Sequence, residues 1–222
     1  TLGLSPRENE LLAMLKLKNG SIYGDRFREL AAFWKGGFFL CFACFAVNGF
    51  PSSPRFRQRF QNIFENKVDP ERLFDAYKEA AFLYSIRLML GMHRGQWFFL
   101  CERELVEALG AIKGARVLDY GCGVSDMGLI LAKLGASVTL ADLDTDMLRF
   151  AEWRYSVRNL DVKIVRIKGT ETVPELPAGS YDLIIASEVL EHFRRPLALI
   201  RTLSASLRQD GILFCSMGMG FD

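Results

Sequence analysis

With 222 residues, 50% of them hydrophobic, the chain can bury a sizeable core as one domain or two. Its 28 basic and 26 acidic residues leave a net charge of +2 with neither half strongly biased, so bulk charge gives no reason to expect a nucleic-acid partner. Five cysteines without a cleavable signal pattern at the N-terminus favour a reducing cytoplasm over secretion.

Residues 1–95 read as a helical segment with no nucleotide motif. Ser5-Pro6 is a helix start, Asn19-Gly20 a stop and Asp69-Pro70-Glu71 a second start, after which residues 73–90 carry apolar side chains at helical spacing. The stretch 48–54 is the clearest loop, and Gly91 is expected to separate two later helices. Arg55, Arg57 and Arg59 cluster on what should be a solvated helix face. There is no internal repeat.

The run 38–47, Phe-Phe-Leu-Cys-Phe-Ala-Cys-Phe-Ala-Val, is strongly apolar but too short to cross a bilayer. A buried helix or a lid is the expectation. In a functional version its aromatics wall an acceptor pocket or rest on a membrane surface, which would suit a quinone, a phenol or a lipid-like acceptor. Cys41 and Cys44 form a Cys-x-x-Cys, yet no second pair exists and the chain has only 2 histidines, so buried helical cysteines are expected rather than a closed zinc site.

Residues 96–222 change character. The apolar run Val117-Leu118-Asp119-Tyr120 leads straight into Gly121-Cys122-Gly123-Val124-Ser125, leaving the backbone bare where a ligand approaches closely. Gly128 to Leu134 reads as a crossover helix with Gly135 as its C-terminal cap. Val138-Thr139-Leu140-Ala141 is the next buried strand, and Asp142 ends it about 20 positions past the loop, where an acid can accept both ribose hydroxyls. An isolated Gly-x-Gly is more often a tight turn, and a lone acid there a helix N-cap; the coincidence of strand, loop and second acid favours a nucleotide site. The sixth position of Gly-x-Gly-x-x-Gly is Asp126, whose carboxylate would repel a pyrophosphate, so a cofactor with ribose and adenine but no phosphate fits better than NAD or FAD.

Together these residues resemble a class I S-adenosylmethionine-dependent methyltransferase from about Trp97 onward. Val117 to Ser125 resembles that family's first motif, Val138 to Asp142 its second strand and ribose acid, and Tyr181-Asp182-Leu183-Ile184-Ile185-Ala186-Ser187 its fourth strand. Residues 207–214 resemble the turn into strand five. The resemblance implies an α/β, doubly wound Rossmann-like sheet behind the N-terminal helical segment. The chain ends at Asp222, so the last strands of that sheet are expected to be missing or replaced. It also implies S-adenosylmethionine as cofactor. Asp119, Gly121, Cys122 and Gly123 would line its methionine end, Asp142 would hold the ribose, and Leu143 would pack on adenine. Thr170 and Glu171 stand where the family reads the adenine amine, and Ser187 joins the cofactor site from the end of strand four. Ser125 replaces a frequent third glycine.

Methyl transfer asks for alignment, exclusion of water and a base where the acceptor must lose a proton. His192, just after strand four, is the candidate base; packing against its helix is the alternative. No metal is expected. The metal alternative places Glu188 and Glu191 on one helix face beside His192, where they could hold a divalent cation with His93 folding over. A similar Glu-x-x-Glu-His string resembles those of small-RNA 2′-hydroxyl methyltransferases and ubiquinone-pathway O-methyltransferases. The expected function is methyl transfer to a small-molecule acceptor, at oxygen. The alternatives are an aminopropyl-type transferase and a non-catalytic partner that keeps the fold.

Overall fold

Buried, mostly apolar strands alternate with amphipathic helices through the second half of the chain, and the computed structural model assembles them into a parallel sheet. It describes Pro6, Glu10, Ala13, Met14 and residues 22–49, 53–65, 69–91 and 112–217. Strand β1 (Arg116–Tyr120) is followed by α5 (Asp126–Lys133), β2 (Ser137–Leu143), α6 (Asp146–Ser156), β3 (Lys163–Ile167), β4 (Tyr181–Ser187), a single 3₁₀ turn (Leu190–His192), α7 (Pro196–Ser206) and β5 (Leu207–Ser216). The order is β3-β2-β1-β4-β5, every pair parallel. Both faces are covered, as a parallel sheet requires. Val117, Leu183 and Ile185 pack with Leu129 and Ile130 on one face, while Leu118, Tyr120, Ile184 and Ala186 pack with Leu199 and Leu203 on the other. The strand order reverses between β1 and β4, β2 and β3 lying on one side of β1 and β4 and β5 on the other, which opens a crevice at the carboxyl ends of these strands.

The expected crossover helix is present but begins two residues earlier, at Asp126, and Gly135 follows it at φ +94°, the left-handed geometry of a helix stop. The expected turn into strand five lies inside β5. Tyr181 pairs with Leu207 but Leu183 with Ile212, so residues 208–211 bulge outward, with Asp210 at φ 62°. Arg116 and Arg208 clasp Asp182 at the opposite end of the sheet from the crevice, at 3.1 and 2.5 Å, and their hydrogen bonds hold its carboxyl down at about 2.

Among the described residues, the helices α1 (Ile22–Phe33), α2 (Gly37–Asn48), α3 (Pro54–Phe64) and α4 (Pro70–Gly91) precede the sheet. Ser53 caps α3 by accepting from the Phe56 amide, and Asp69 caps α4 by accepting from the amides of Glu71 and Arg72, as the Asp-Pro-Glu start requires. Arg55, Arg57 and Arg59 are solvated. Gly91 ends α4; the expected stop at Asn19-Gly20, the boundary at 95/96 and His93 lie outside the described residues.

Helix α2 corrects one expectation. Cys41 and Cys44 are buried, and desolvation lifts the Cys41 thiol to about 11, so they are inert core residues. The helix is not buried as a whole: Phe39, Phe42 and Val47 are 82%, 63% and 61% exposed, and none of its described side chains lines the crevice. Among the described residues no helix is long and apolar enough to cross a membrane.

The helices and the sheet share one core. Leu30, Cys41, Phe56, Ile86 and Met89 pack with Val124, Met147 and Phe150. Beside it runs a buried ionic chain. Arg26 of α1 meets Asp126 at 2.7 Å, Asp126 meets Arg154 of α6 at 2.8 Å, and Arg154 and Arg158 meet Glu29 of α1 at 3.1 and 2.6 Å. Burial opposes ionisation of Asp126, but Arg26 and Arg154 overcome it and hold the carboxyl below its ordinary range.

Candidate active site

At the carboxyl end of β1 the chain reverses through Gly121, whose φ is +67°. A Cβ there would lie 2.3 Å from Val189 Cγ2, so only glycine lets the loop pass under the segment after β4. The Gly123 amide then donates to Asp142 Oδ2 at 2.7 Å, and the Leu143 amide donates to Asp142 Oδ1 at 2.6 Å. The carboxylate expected to hold a ribose thus also pins the glycine loop to the end of β2. Burial raises its pKa against these amide donors.

Asp119 is 4% exposed at the end of β1 and accepts from Ser125 Oγ at 3.0 Å and from the Gly128 amide. Burial lifts its carboxyl to about 7 despite these donors, which oppose the rise. Ser125 occupies a left-handed position, φ 53°, and its hydroxyl also meets the Tyr155 hydroxyl at 3.3 Å. The residue in place of the frequent third glycine therefore orients Asp119. The close approach is made instead at Gly128, where a Cβ would lie 2.5 Å from Ser125 Oγ, 2.6 Å from the Tyr155 hydroxyl and 2.9 Å from Asp119 Oδ2.

A cavity gathers Asp119, Gly121, Cys122, Gly123, Asp142, Leu143, Thr170, Ser187 and His192 from separate parts of the sequence. Glu171 lies outside that lining; its carboxylate accepts from the Arg194 amide at 3.3 Å. Thr170 Oγ1 donates to the Pro70 carbonyl, tying the first turn of α4 to the loop after β3. Burial keeps the Cys122 thiol protonated.

The backbone departs from the helix that the metal alternative assumes. Glu188 sits at φ 55° ahead of the 3₁₀ turn, so Glu188 and Glu191 do not share a helix face. Among the described residues no three His, Cys, Asp or Glu side chains form a group that could hold a metal ion. Glu188 is bound otherwise: Ser187 donates to Ser216 Oγ at 2.6 Å, and Ser216 Oγ donates to Glu188 Oε1 at 3.1 Å.

Sequence reasoning passed over the part of the cavity wall that α4 supplies. Leu73, Tyr77, Tyr84 and Leu88 of α4 line the cavity, and the Tyr77 ring stands edge-on to His192 at 6.5 Å. Tyr77 and Tyr84 are seven apart, two helical turns on one face, a signal hidden among the apolar residues of 73–90. Burial, reinforced by Asp142 and Glu191, raises both phenols, so both stay neutral donors.

The donor set fits S-adenosylmethionine. The carboxylates of Asp119 and Asp142 flank a glycine loop, and two further lining groups, the Tyr120 hydroxyl and Thr145 Oγ1, are buried without a hydrogen-bond partner among the described residues. Buried polar atoms in that state call for a polar ligand or water.

Residues 94–218 match the family model described as a methyltransferase domain, over more than half of the chain. The chain belongs to that methyltransferase family. Its sheet is the class I form, and its cofactor is S-adenosylmethionine. Among curated proteins, the ubiquinone biosynthesis O-methyltransferase of Xanthomonas campestris pv. campestris (strain B100) is 36% identical over 113 residues, 51% of this chain and 47% of that protein. The protein of the same name from Xanthomonas euvesicatoria pv. vesicatoria (strain 85-10) is 34% identical over the same shares. The methyltransferase chain spans about half the length of these curated relatives. Among solved structures, a putative S-adenosyl-L-methionine-dependent methyltransferase from Methanococcus maripaludis superposes with a TM-score of 0.49 at 18% identity, covering 70% of this chain and 68% of that one.

Proposed function

We propose that this chain transfers the methyl group of S-adenosylmethionine to an oxygen of an apolar, aromatic small molecule. The observation that carries the reading is the composition of the cavity. Around its glycine loop it presents Asp119 and Asp142, and α4 adds a wall of Leu73, Tyr77, Tyr84 and Leu88, with His192 beside Tyr77. A planar acceptor packs on such a wall, while the phenolic hydroxyls position its polar substituents. The name of the Xanthomonas relatives, ubiquinone biosynthesis O-methyltransferase, supports oxygen as the methylated atom.

Bound in the cavity, the cofactor supplies an electrophilic methyl on a sulfonium. Asp142 accepts from the ribose hydroxyls, Leu143 packs on adenine with Thr170 toward the adenine edge, and Asp119, Gly121, Cys122, Gly123 and Ser187 enclose the methionine end. His192 accepts the proton that the acceptor hydroxyl releases. The helical segment 1–95 covers the acceptor against water, and residues 96–222 form the cofactor-binding domain. The cytoplasm, where Cys41, Cys44 and Cys122 stay reduced, is the compartment that suits this chain.

Calorimetric titration with S-adenosylmethionine and S-adenosylhomocysteine, with NAD as control, tests the cofactor half of the reading. Incubation with labelled cofactor and a panel of phenols, catechols and amines tests the other half. Label transfer to the hydroxyl compounds is expected; transfer to amines alone would overturn the choice of oxygen.

A further inference from the structure

Helix α2 carries no charged side chain from Gly37 to Asn48, yet the fold leaves one of its faces open. Cys41 and Cys44 turn inward at 0% and 7% exposure, whereas Phe39, Phe42 and Val47 stand at 82%, 63% and 61%. Spacings of three and four residues place Phe39, Phe42 and the exposed Ala46 on one side of the helix. Single exposed apolar residues are ordinary; contiguous aromatics on one helix face mark an interaction surface.

The surrounding charge indicates what that surface meets. From Leu30 to Phe64 the chain contains Lys35, Arg55, Arg57 and Arg59 but no Asp or Glu, and all four cations are exposed. Lys35 precedes α2 by two residues. Arg55 stands at its other end, where a Cβ on Gly49 would lie 3.8 Å from Arg55 Cβ. Arg59 follows Arg55 by one turn of α3, whose Phe56, Phe60 and Ile63 are buried.

An apolar helix face bracketed by cations complements the boundary between anionic headgroups and acyl chains, where rings enter the hydrocarbon and ammonium and guanidinium groups meet phosphates. A polynucleotide would engage the cations and leave the phenylalanines in water. A second copy of α2 would bring Lys35 and Arg55 against like charges with no acid in the segment to pair them.

We propose that α2, with the flanking cations of α3, docks this protein peripherally on an anionic bilayer. None of the described α2 side chains lines the cavity, so docking leaves those cavity walls untouched. The surface stands independently of the acceptor's identity.

Flotation of the full chain with vesicles of phosphatidylcholine, alone or mixed with phosphatidylglycerol, tests this. The chain is expected to float with the mixed vesicles, less so as salt is raised, and weakly with phosphatidylcholine alone. Phe39→Asp/Phe42→Asp should weaken the partition roughly tenfold or more, since interfacial binding scales with buried apolar area. Lys35→Glu/Arg55→Glu should abolish the preference for anionic lipid. Both variants should keep wild-type affinity for S-adenosylmethionine, which shows that they fold. Absence of flotation, or flotation unaffected by either double variant, would overturn the proposal. So would a dimer without lipid that Phe39→Asp/Phe42→Asp converts to monomer, or tight RNA binding lost in Lys35→Glu/Arg55→Glu without any lipid binding.

Discussion

Asp142 Oδ2 accepts from the Gly123 amide at 2.7 Å, so the carboxylate at the end of β2 and the glycine loop after β1 form one unit. A ligand held by that carboxylate meets a loop already fixed in place, which reduces the ordering cost of binding.

Asp142→Ala removes both the acceptor for the ribose and the anchor of Gly123. S-adenosylmethionine affinity should fall by about 1.5–3 kcal/mol, the scale of a hydrogen bond to a charged group. Calorimetry reads this directly, and unchanged affinity would remove Asp142 from the site.

Gly128→Ala places a methyl 2.5 Å from Ser125 Oγ and 2.6 Å from the Tyr155 hydroxyl. Overpacking of this kind costs about 1–3 kcal/mol, measurable as a lowered urea midpoint with the slope unchanged. Because Ser125 orients Asp119, cofactor affinity should drop in the same variant.

Asp119 titrates at about 7 in the folded protein. An unfolded aspartate titrates near about 3.9, so between these values the native state binds more protons and stability falls as pH rises. The loss is complete above about 7. Asp119→Asn stays neutral throughout, so its unfolding free energy should vary less between pH 4 and 7 than that of the wild type. Urea titrations at several pH values compare the two slopes; equal slopes would show that Asp119 does not carry the effect.

Asp126→Ala leaves Arg26 and Arg154 buried without the carboxylate that joins them at 2.7 and 2.8 Å. Breaking a buried ion pair from one side costs about 3–5 kcal/mol, and thermal unfolding should show it as a markedly lowered midpoint.

His192→Ala should lower kcat by about 10²-fold or more if the imidazole takes the acceptor's proton, with little change in cofactor affinity. The pH profile discriminates: loss of its ascending limb supports a base, and an unaltered profile would assign His192 to packing against Tyr77.

Local signals carried much of the site. The sharp passage from Val117-Leu118 into Gly121 and Gly123, and Asp142 at the end of the next strand, were legible because backbone freedom and strand ends are properties of neighbouring residues. Asp126 was legible only as a missing glycine. The repulsion expected from its carboxylate is altered by Arg26, which lies 100 positions earlier, and by Arg154, which completes the pair. Glu188 and Glu191 looked like a helix face because spacing alone does not show that Glu188 adopts φ 55°.

By itself, then, the sequence determined the alternation of strand and helix, the glycine loop, the acid at the end of β2 and the cofactor class. The first three follow from periodicity and from residue types acting within about 25 positions of one another, and the cofactor class from the resemblance of those residues to the methyltransferase family. Only the tertiary structure decided that Tyr77 and Tyr84 line the same cavity as the glycine loop, that Gly128 rather than position 125 makes the close approach, and that α2 keeps an open apolar face. Each of these depends on which surfaces meet after the helices pack, and hydrophobic periodicity marks a face without naming what will cover it.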